Sequence, residues 1–366
     1  MATTTKTRST KKASTKRSAK KSVALVPKSA PRTLVTGGTG FLGSHLVRQL
    51  VEDGAKNLRV LTTSSPAWLA ELGVEVIEGS ITDPNAVSRA VSDVTEIYHL
   101  AGKVSRDDDD AHSMYQLHVE GTRNLFIAAR SAGVKSIVMA STSGTIAVTS
   151  DGEMLPDEEW PQPVEIISRW PYYSSKYYQE RAALENFGAD GERLVIVNPS
   201  LLLGPGDDRL SSTSVILDFL ARKIPSIPSG GINFVDVRDA AKAFRSAMAN
   251  GKNHERYLLG AANWTFEKFF GRLERLTKVA APRLSLPSRL VVSGSKMVNA
   301  LYRHWELAPP LEPGAVEMAE YFWYLDHSKA ERELGFTPRD PGETLNETVA
   351  YVRARFLGVK AFSGKV

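Results

Sequence analysis

Apolar and polar positions along the chain change period in a regular order. A short β-branched run, Thr33–Thr36, leads to positions from Phe41 to about Val51 that are apolar at helical spacing. This predicts a strand followed by an amphipathic helix. Further strands are expected at Asn57–Thr63, Gly73–Ile81, Glu96–Gly102, Ser136–Thr142 and Arg193–Ser200, with a helix before the fourth strand and another at Gly121–Gly133. Strands alternating with helices imply an α/β fold with a doubly wound parallel sheet. After the sixth strand the alternation stops. Residues 204–231 read as a loop and helix, and Phe234–Asn250 as a return to the core. Residues from about 260 to 338 read as a smaller, mostly helical lobe rich in aromatics, among them Trp264, Phe266, Tyr302, Trp305 and Trp323.

Between the first strand and its helix, Gly37, Gly40 and Gly43 stand three apart. The first suits a tight turn after the strand. The second lets backbone approach a pyrophosphate on the positive helix N-terminus, and the third lets helix and strand pack closely. A glycine triad joining a strand to an amphipathic helix is a dinucleotide-binding signal. Nicotinamide sites that prefer NAD place an acid at the end of the second strand. Here that end reads Thr62-Thr63-Ser64-Ser65. Hydroxyls without a carboxylate favour NADP(H) slightly over NAD(H).

Composition narrows the function. The chain has 366 residues, 42% hydrophobic and 24% charged, enough for a large core. It has no cysteine, which excludes disulfides, thiolate metal sites and a cysteine nucleophile. Its net charge of +5 resides in residues 1–30, which hold nine Lys or Arg and no acid; the remainder carries 37 basic and 41 acidic residues. The Ser/Thr/Lys-rich stretch is expected to be a disordered tail. Its charge suits a salt-dependent contact with a polyanion. Its composition also fits a transit peptide, against which the excess of Lys over Arg argues. No apolar run of eighteen residues suggests a membrane span, and a cytoplasmic location is expected.

The stretch WPYYSSKYYQE, from Trp170 to Glu180, carries four tyrosines around Lys176. On a helix, residues three or four apart share a face. Tyr172 and Tyr173 can therefore meet Lys176, whereas Tyr177 and Tyr178 cannot. A tyrosine titrates near pH 10, and a nearby ammonium would favour the phenolate. Together with Tyr173, Tyr177 and Tyr178 suit an aromatic core face. The end of the fifth strand offers three hydroxyls, Ser141, Thr142 and Ser143.

Seven stretches in order carry a resemblance: TGGTGFLG (36–43), HLAG (99–102), MASTSGT (139–145), YYSSK (172–176), NPSLLLGPGD (198–207), FVDVRDAAKAF (234–244) and SKAERELGFTP (328–338). With them the chain resembles the extended short-chain dehydrogenase/reductases, the NAD-dependent epimerase/dehydratase superfamily, in its dihydroflavonol reductase-like branch. The resemblance implies a Rossmann-type domain over 31–203 and a substrate-binding lobe over 204–366, with 232–250 returning to the core. It implies a catalytic Tyr-x-x-x-Lys pair, Tyr172 and Lys176, and a catalytic hydroxyl on Thr142, with Ser143 as the alternative. It also implies a cofactor held by Thr36, Gly37, Gly40, Phe41, Leu42, Gly43, Thr63, Ser64, Ser80, Ile81, Leu100, Ala101, Gly102, Tyr172, Lys176 and Pro199. No metal is implied. The activity implied is NAD(P)-dependent oxidoreduction of a ketone or secondary alcohol on a largely apolar small molecule, in an enzyme that forms a homodimer.

Two positions depart from the family pattern. Ser80 stands where an aspartate is common, and His118 where asparagine is common. The run Asp107–Asp110 reads as a solvated turn. Two other readings stay open. A nucleotide-sugar epimerase or dehydratase would need basic residues in the lobe, such as Arg209, Arg222 and Arg245. A non-catalytic dinucleotide-binding regulator would use the basic tail on nucleic acid.

Overall fold

The computed structural model describes residues 1–5, 32–189, 191–283 and 313–358. Met1–Ala30 and Pro31–Val366 form separate units, and the fold below belongs to the second. Most of the stretch read as a basic tail lies outside the described residues, as do Tyr302 and Trp305.

The chain runs β1 (Arg32–Thr36), α1 (Phe41–Glu52), β2 (Leu58–Thr62), β3 (Glu75–Glu78), α2 (Pro84–Val91), β4 (Val94–His99), α3 (Gly121–Ala132), β5 (Ser136–Ala140), α4 (Pro171–Asn186) and β6 (Arg193–Pro199). It continues through β7 (Leu201–Leu203), α5 (Ser214–Leu220), β8 (Gly231–Asp236), α6 (Val237–Asn250), β9 (Arg256–Leu259), β10 (Ala262–Thr265) and α7 (Phe266–Thr277). Last come α8 (Ser328–Leu334) and α9 (Pro341–Phe356). Seven strands form a parallel sheet in the order β3-β2-β1-β4-β5-β6-β9. The order reverses between β1 and β4, the switch point at which open parallel sheets bind ligands beyond their C-terminal ends.

Local chemistry explains the boundaries. Asp83 caps α2 by accepting from the Asn85 amide, with Pro84 in the first turn. Gly133 closes α3 at φ +77°. One sheet face packs Val35, Val60 and Tyr98 against Leu46 of α1, Phe244 of α6 and Leu334 of α8. The other packs Leu34, Ile97 and Ile137 against Val87, Phe126 and Ala183. Every residue of β2 is buried, as expected for a sheet covered on both sides.

After β6 the chain divides between two sheets. Strand β8 does not rejoin the main sheet. It pairs antiparallel with β10 and parallel with β7 in a separate three-stranded sheet. The return to the main layers is made by α6, by β9 and by α8 with Phe336. Elements of the lobe therefore alternate along the chain with elements of the main layers. Its own core joins Phe219, Phe234, Phe269 and Phe270 to Leu345 and Val349 of α9. The fourth strand also begins earlier than expected and stops at His99, leaving Leu100–Gly102 as loop.

Candidate active site

Thr36 ends β1 with its hydroxyl inside the protein, 2.7 Å from His99 Nδ1 and accepting from the Ala101 amide at 3.3 Å. Gly37 follows at φ +71°, and a Cβ there would lie 2.6 Å from Ala101 N. At Gly43 a Cβ would stand 2.1 Å from Gly37 O. Strand, turn and helix are thus packed backbone to backbone. Gly40 is the N-cap of α1, and no side chain caps that end. This cradle fits the pyrophosphate of a dinucleotide: the amides at the helix start face the switch point, and side chains are excluded where the backbone must come close.

The other expected cofactor positions fall around it. Phe41 and Leu42 open α1, with Leu42 in the core. Thr62 Oγ1 shares a hydrogen bond with Thr39 Oγ1 at 3.0 Å and donates to Ser64 O, while Thr63 and Ser64 are exposed. Ser80 forms a local turn with Thr82, hydroxyl to hydroxyl at 2.8 Å. Ile81 is core by its side chain. Leu100 and Ala101 are half-buried, Gly102 is exposed, and Pro199 ends β6 beside Leu259. The parallel strands bring these ends to one edge.

Helix α4 supplies the tyrosine and lysine. Its buried residues include Ser175, Lys176, Gln179 and Glu180, so a polar face turns inward. The Thr142 side chain lies near enough to the Tyr172 hydroxyl to favour its ionised form, and Thr142 Oγ1 accepts from the Gly144 amide at 3.3 Å. Tyr173 instead stacks on Trp323, centroids 4.8 Å apart. Tyr178 is 47% exposed, which removes it from the expected aromatic core face.

Lys176 Nζ donates to Ala140 O at 2.7 Å and to Gln179 Oε1. Burial lowers its pKa to about 7, against the raising influence of Glu180. Burial drives the Tyr172 phenol the other way, well above 10, with Tyr173 adding to the rise and the Thr142 side chain opposing it. The expected lowering of Tyr172 by Lys176 is not what this geometry produces. The ammonium is spent on a carbonyl and an amide oxygen, so desolvation governs the phenol.

Several participants have no motif to announce them. Gln179 Nε2 donates to Thr122 Oγ1 at 2.9 Å, Thr122 lies 2.9 Å from His99 Nε2, and His99 reaches Thr36. A buried chain therefore runs from Lys176 to the end of β1. Burial lowers the His99 pKa to about 3, with Lys176 adding to the fall. His118 sits in a π-helical turn, Gln116–Glu120. Its Nε2 accepts from the Lys103 amide at 3.0 Å, leaving Nδ1–H to donate to Ser175 Oγ at 2.8 Å; Ser175 in turn donates to Tyr172 O at 2.7 Å. Burial holds His118 well below its ordinary pKa. In the sequence His99 showed only as part of HLAG and His118 only as a departure from the family's asparagine, and Gln179, Thr122 and Ser175 had no signal of their own.

Beside Tyr172 lies a cavity of about 170 Å³, lined by Ser105, Arg106, Arg169, Trp170 and Met318 among others. Arg169 is engaged by Glu317 and Tyr321, each at 3.1 Å. Of the four aspartates, Asp107 accepts from the Asp109 amide, Asp110 pairs with Lys103, and Asp108 lines this cavity. Among the described residues no helix is long and apolar enough to cross a membrane.

Residues 33–260 match the NAD dependent epimerase/dehydratase family. A putative dihydroflavonol 4-reductase of Synechocystis sp. is 32% identical, covering 86% of this chain and 92% of its own. Sterol demethylase protein B of Methylococcus capsulatus is also 32% identical, covering 88% and 98%. The crystal structure of gox2253 superposes with a TM-score of 0.76 at 31% identity, covering 89% of this chain and 99% of its own. The chain belongs to the NAD dependent epimerase/dehydratase family, among the extended short-chain dehydrogenases/reductases, and is an oxidoreductase of that family.

Proposed function

We propose that this enzyme interconverts a ketone and a secondary alcohol on a largely apolar small molecule, with Tyr172 as acid and base. The observation that carries the reading is the hydroxyl pair of Thr142 and Tyr172, set at the sheet's C-terminal edge beside Lys176 and a cavity. In the reducing direction, Tyr172 Oη gives its proton to the developing alkoxide. Thr142 Oγ1 hydrogen-bonds the same oxygen and fixes its place. Lys176, one helical turn beyond Tyr172 and anchored by Ala140 O and Gln179 Oε1, would hold the nicotinamide ribose. The bound nicotinamide would supply or accept the hydride. The dinucleotide that carries it would be held by the glycine cradle at its pyrophosphate and by the ends of β2, β3, β4 and β6.

NADP(H) is favoured by the exposed hydroxyls of Thr63 and Ser64, with no acid closing β2. A fused-ring apolar substrate is favoured by the names of the two 32% relatives, a dihydroflavonol reductase and a sterol demethylase protein. Beside Tyr172 the apolar Trp170 and Met318 share the cavity wall with Arg106, Asp108 and Glu317. Of the basic residues that a nucleotide-sugar reading would use, Arg245 lies on α6 and is paired with Asp53 of α1.

Reduced-cofactor fluorescence and oxidation, with NADPH and NADH against a panel of fused-ring ketones, test the reading. Tyr172→Phe is expected to bind cofactor as the wild type does and to lose about 100- to 10,000-fold in turnover. Turnover that survives in Tyr172→Phe but disappears in Tyr173→Phe would move the acid to Tyr173. Failure of both cofactors to bind would overturn the reading as a whole.

A further inference from the structure

Glu180 is completely buried and touches neither the cavity nor the glycine cradle. It lies four residues after Lys176 and eight after Tyr172, on the same face of α4. Its Oε1 accepts from Ser141 Oγ at 2.5 Å, Thr145 Oγ1 at 2.8 Å and Asn198 Nδ2 at 2.8 Å. Its Oε2 accepts from Arg256 Nε at 2.8 Å and Gln162 Nε2 at 3.3 Å. Ser141 and Thr145 flank Thr142 in the loop after β5, and Thr145 Oγ1 also lies 2.9 Å from Thr142 O. Asn198 adds a bond to Thr142 O at 3.1 Å. One carboxylate therefore gathers the loop that carries Thr142, the end of β6, and β9, and ties them to the helix that carries Tyr172.

We propose that Glu180 is a positioning residue: it tethers the 141–145 loop to α4 and so sets the Thr142–Tyr172 hydroxyl pair in register for proton transfer. The proposal rests on the oxidoreductase reading of that pair. A buried carboxylate is costly unless fully partnered, and a core residue of similar volume would pack α4 against β6 equally well. Five donors converging from four segments make a joint that apolar packing would not reproduce in register. Glu180 acts on the second member of the site as well, since its charge opposes the fall that burial imposes on Lys176. The other titratable or charged groups around that lysine are His99 from β4, His118 from the π-helical turn and Tyr172 on α4, with Arg256 of β9 paired to Glu180 itself.

Glu180→Gln and Thr145→Val would be compared with the wild type by steady-state kinetics over pH, cofactor titration and hydrogen exchange of the 141–147 backbone. Thr145→Val removes part of the tether and leaves the charge. Both variants are expected to exchange faster across 141–147 and to lose about 10- to 100-fold in kcat, because small misplacements of reacting groups cost that much. Cofactor affinity and KM are expected to stay within about twofold. In Glu180→Gln alone, the alkaline limb of the kcat/KM profile is expected to move to lower pH, because the lysine ammonium loses its carboxylate. Unchanged exchange across 141–147, or unchanged kcat in variants that do exchange faster, would overturn the proposal. If Glu180→Gln does not fold, Thr145→Val decides it by the same two measurements. If the wild type turns over no substrate, the oxidoreductase reading fails, and exchange across 141–147 still decides the tether.

Discussion

Burial holds the Lys176 pKa to about 7, against an ordinary value of 10.5. In the folded enzyme the ammonium is present below about pH 7. In the unfolded chain it persists to about pH 10.4. Between those values the unfolded chain binds the extra proton, so stability rises with pH through that window. Lys176→Met is expected to flatten the rise by one proton, read from denaturant midpoints measured between pH 7 and 10. Turnover that needs the ammonium follows the opposite course. Wild-type kcat/KM for ketone reduction is expected to fall as pH passes upward through about 7. A profile flat to pH 9 would remove the ammonium from the mechanism. Spacing made both Tyr172 and Tyr173 legible as partners of Lys176, and the family resemblance pointed to Tyr172. The titration of Tyr172 and Lys176 was not legible, because the pKa of a buried group depends on what surrounds it.

Among the elements, the β1–α1 turn is the most sharply determined. Gly43 has no room for a Cβ: the nearest atom is the Gly37 carbonyl oxygen, 2.1 Å from where it would stand. Backbone cannot yield as a side chain can. Gly43→Ala is expected to cost about 1–3 kcal/mol of stability and to weaken dinucleotide binding at least about tenfold, because the turn must open to admit the methyl group. A thermal melt and a cofactor fluorescence titration check it, and unchanged binding would show that the cradle tolerates the opening. The glycine spacing made this turn readable from the sequence alone. Helix α4 shows the converse. Its register could be read from Tyr172 and Lys176, yet Gln179 and Glu180, the inward residues that tie it down, had no pattern pointing to them.

For the whole molecule, acid is the expected weak direction. His99 and His118 are both buried between the sheet and the helices, with pKa values held below the ordinary range. An unfolded chain protonates them near pH 6.5, so below that value the unfolded state binds more protons and stability falls. The melting temperature is expected to drop from pH 6.5 downward. His99→Gln is expected to lessen the drop by about one proton, and a variant that tracks the wild type at every pH would exclude His99 as a contributor. The lobe belongs to this scale as well. Phe219, Phe234, Phe269 and Phe270 form its core, and α9 closes it from far along the chain.

The sequence by itself determined the alternating strands and helices, the glycine turn, a helix with tyrosines one turn before Lys176, and a hydroxyl-bearing loop after β5. All of these are written in local spacing, where neighbours along the chain are neighbours in space. Tertiary structure alone decided that β8 leaves the main sheet and β9 enters it, that Lys176 is held by Ala140 and Gln179, and that Glu180 joins four segments. Those pairings link residues as far apart as Glu180 and Arg256. They are selected by burial and by the need of each buried polar group for a partner, and spacing along the chain carries no record of either.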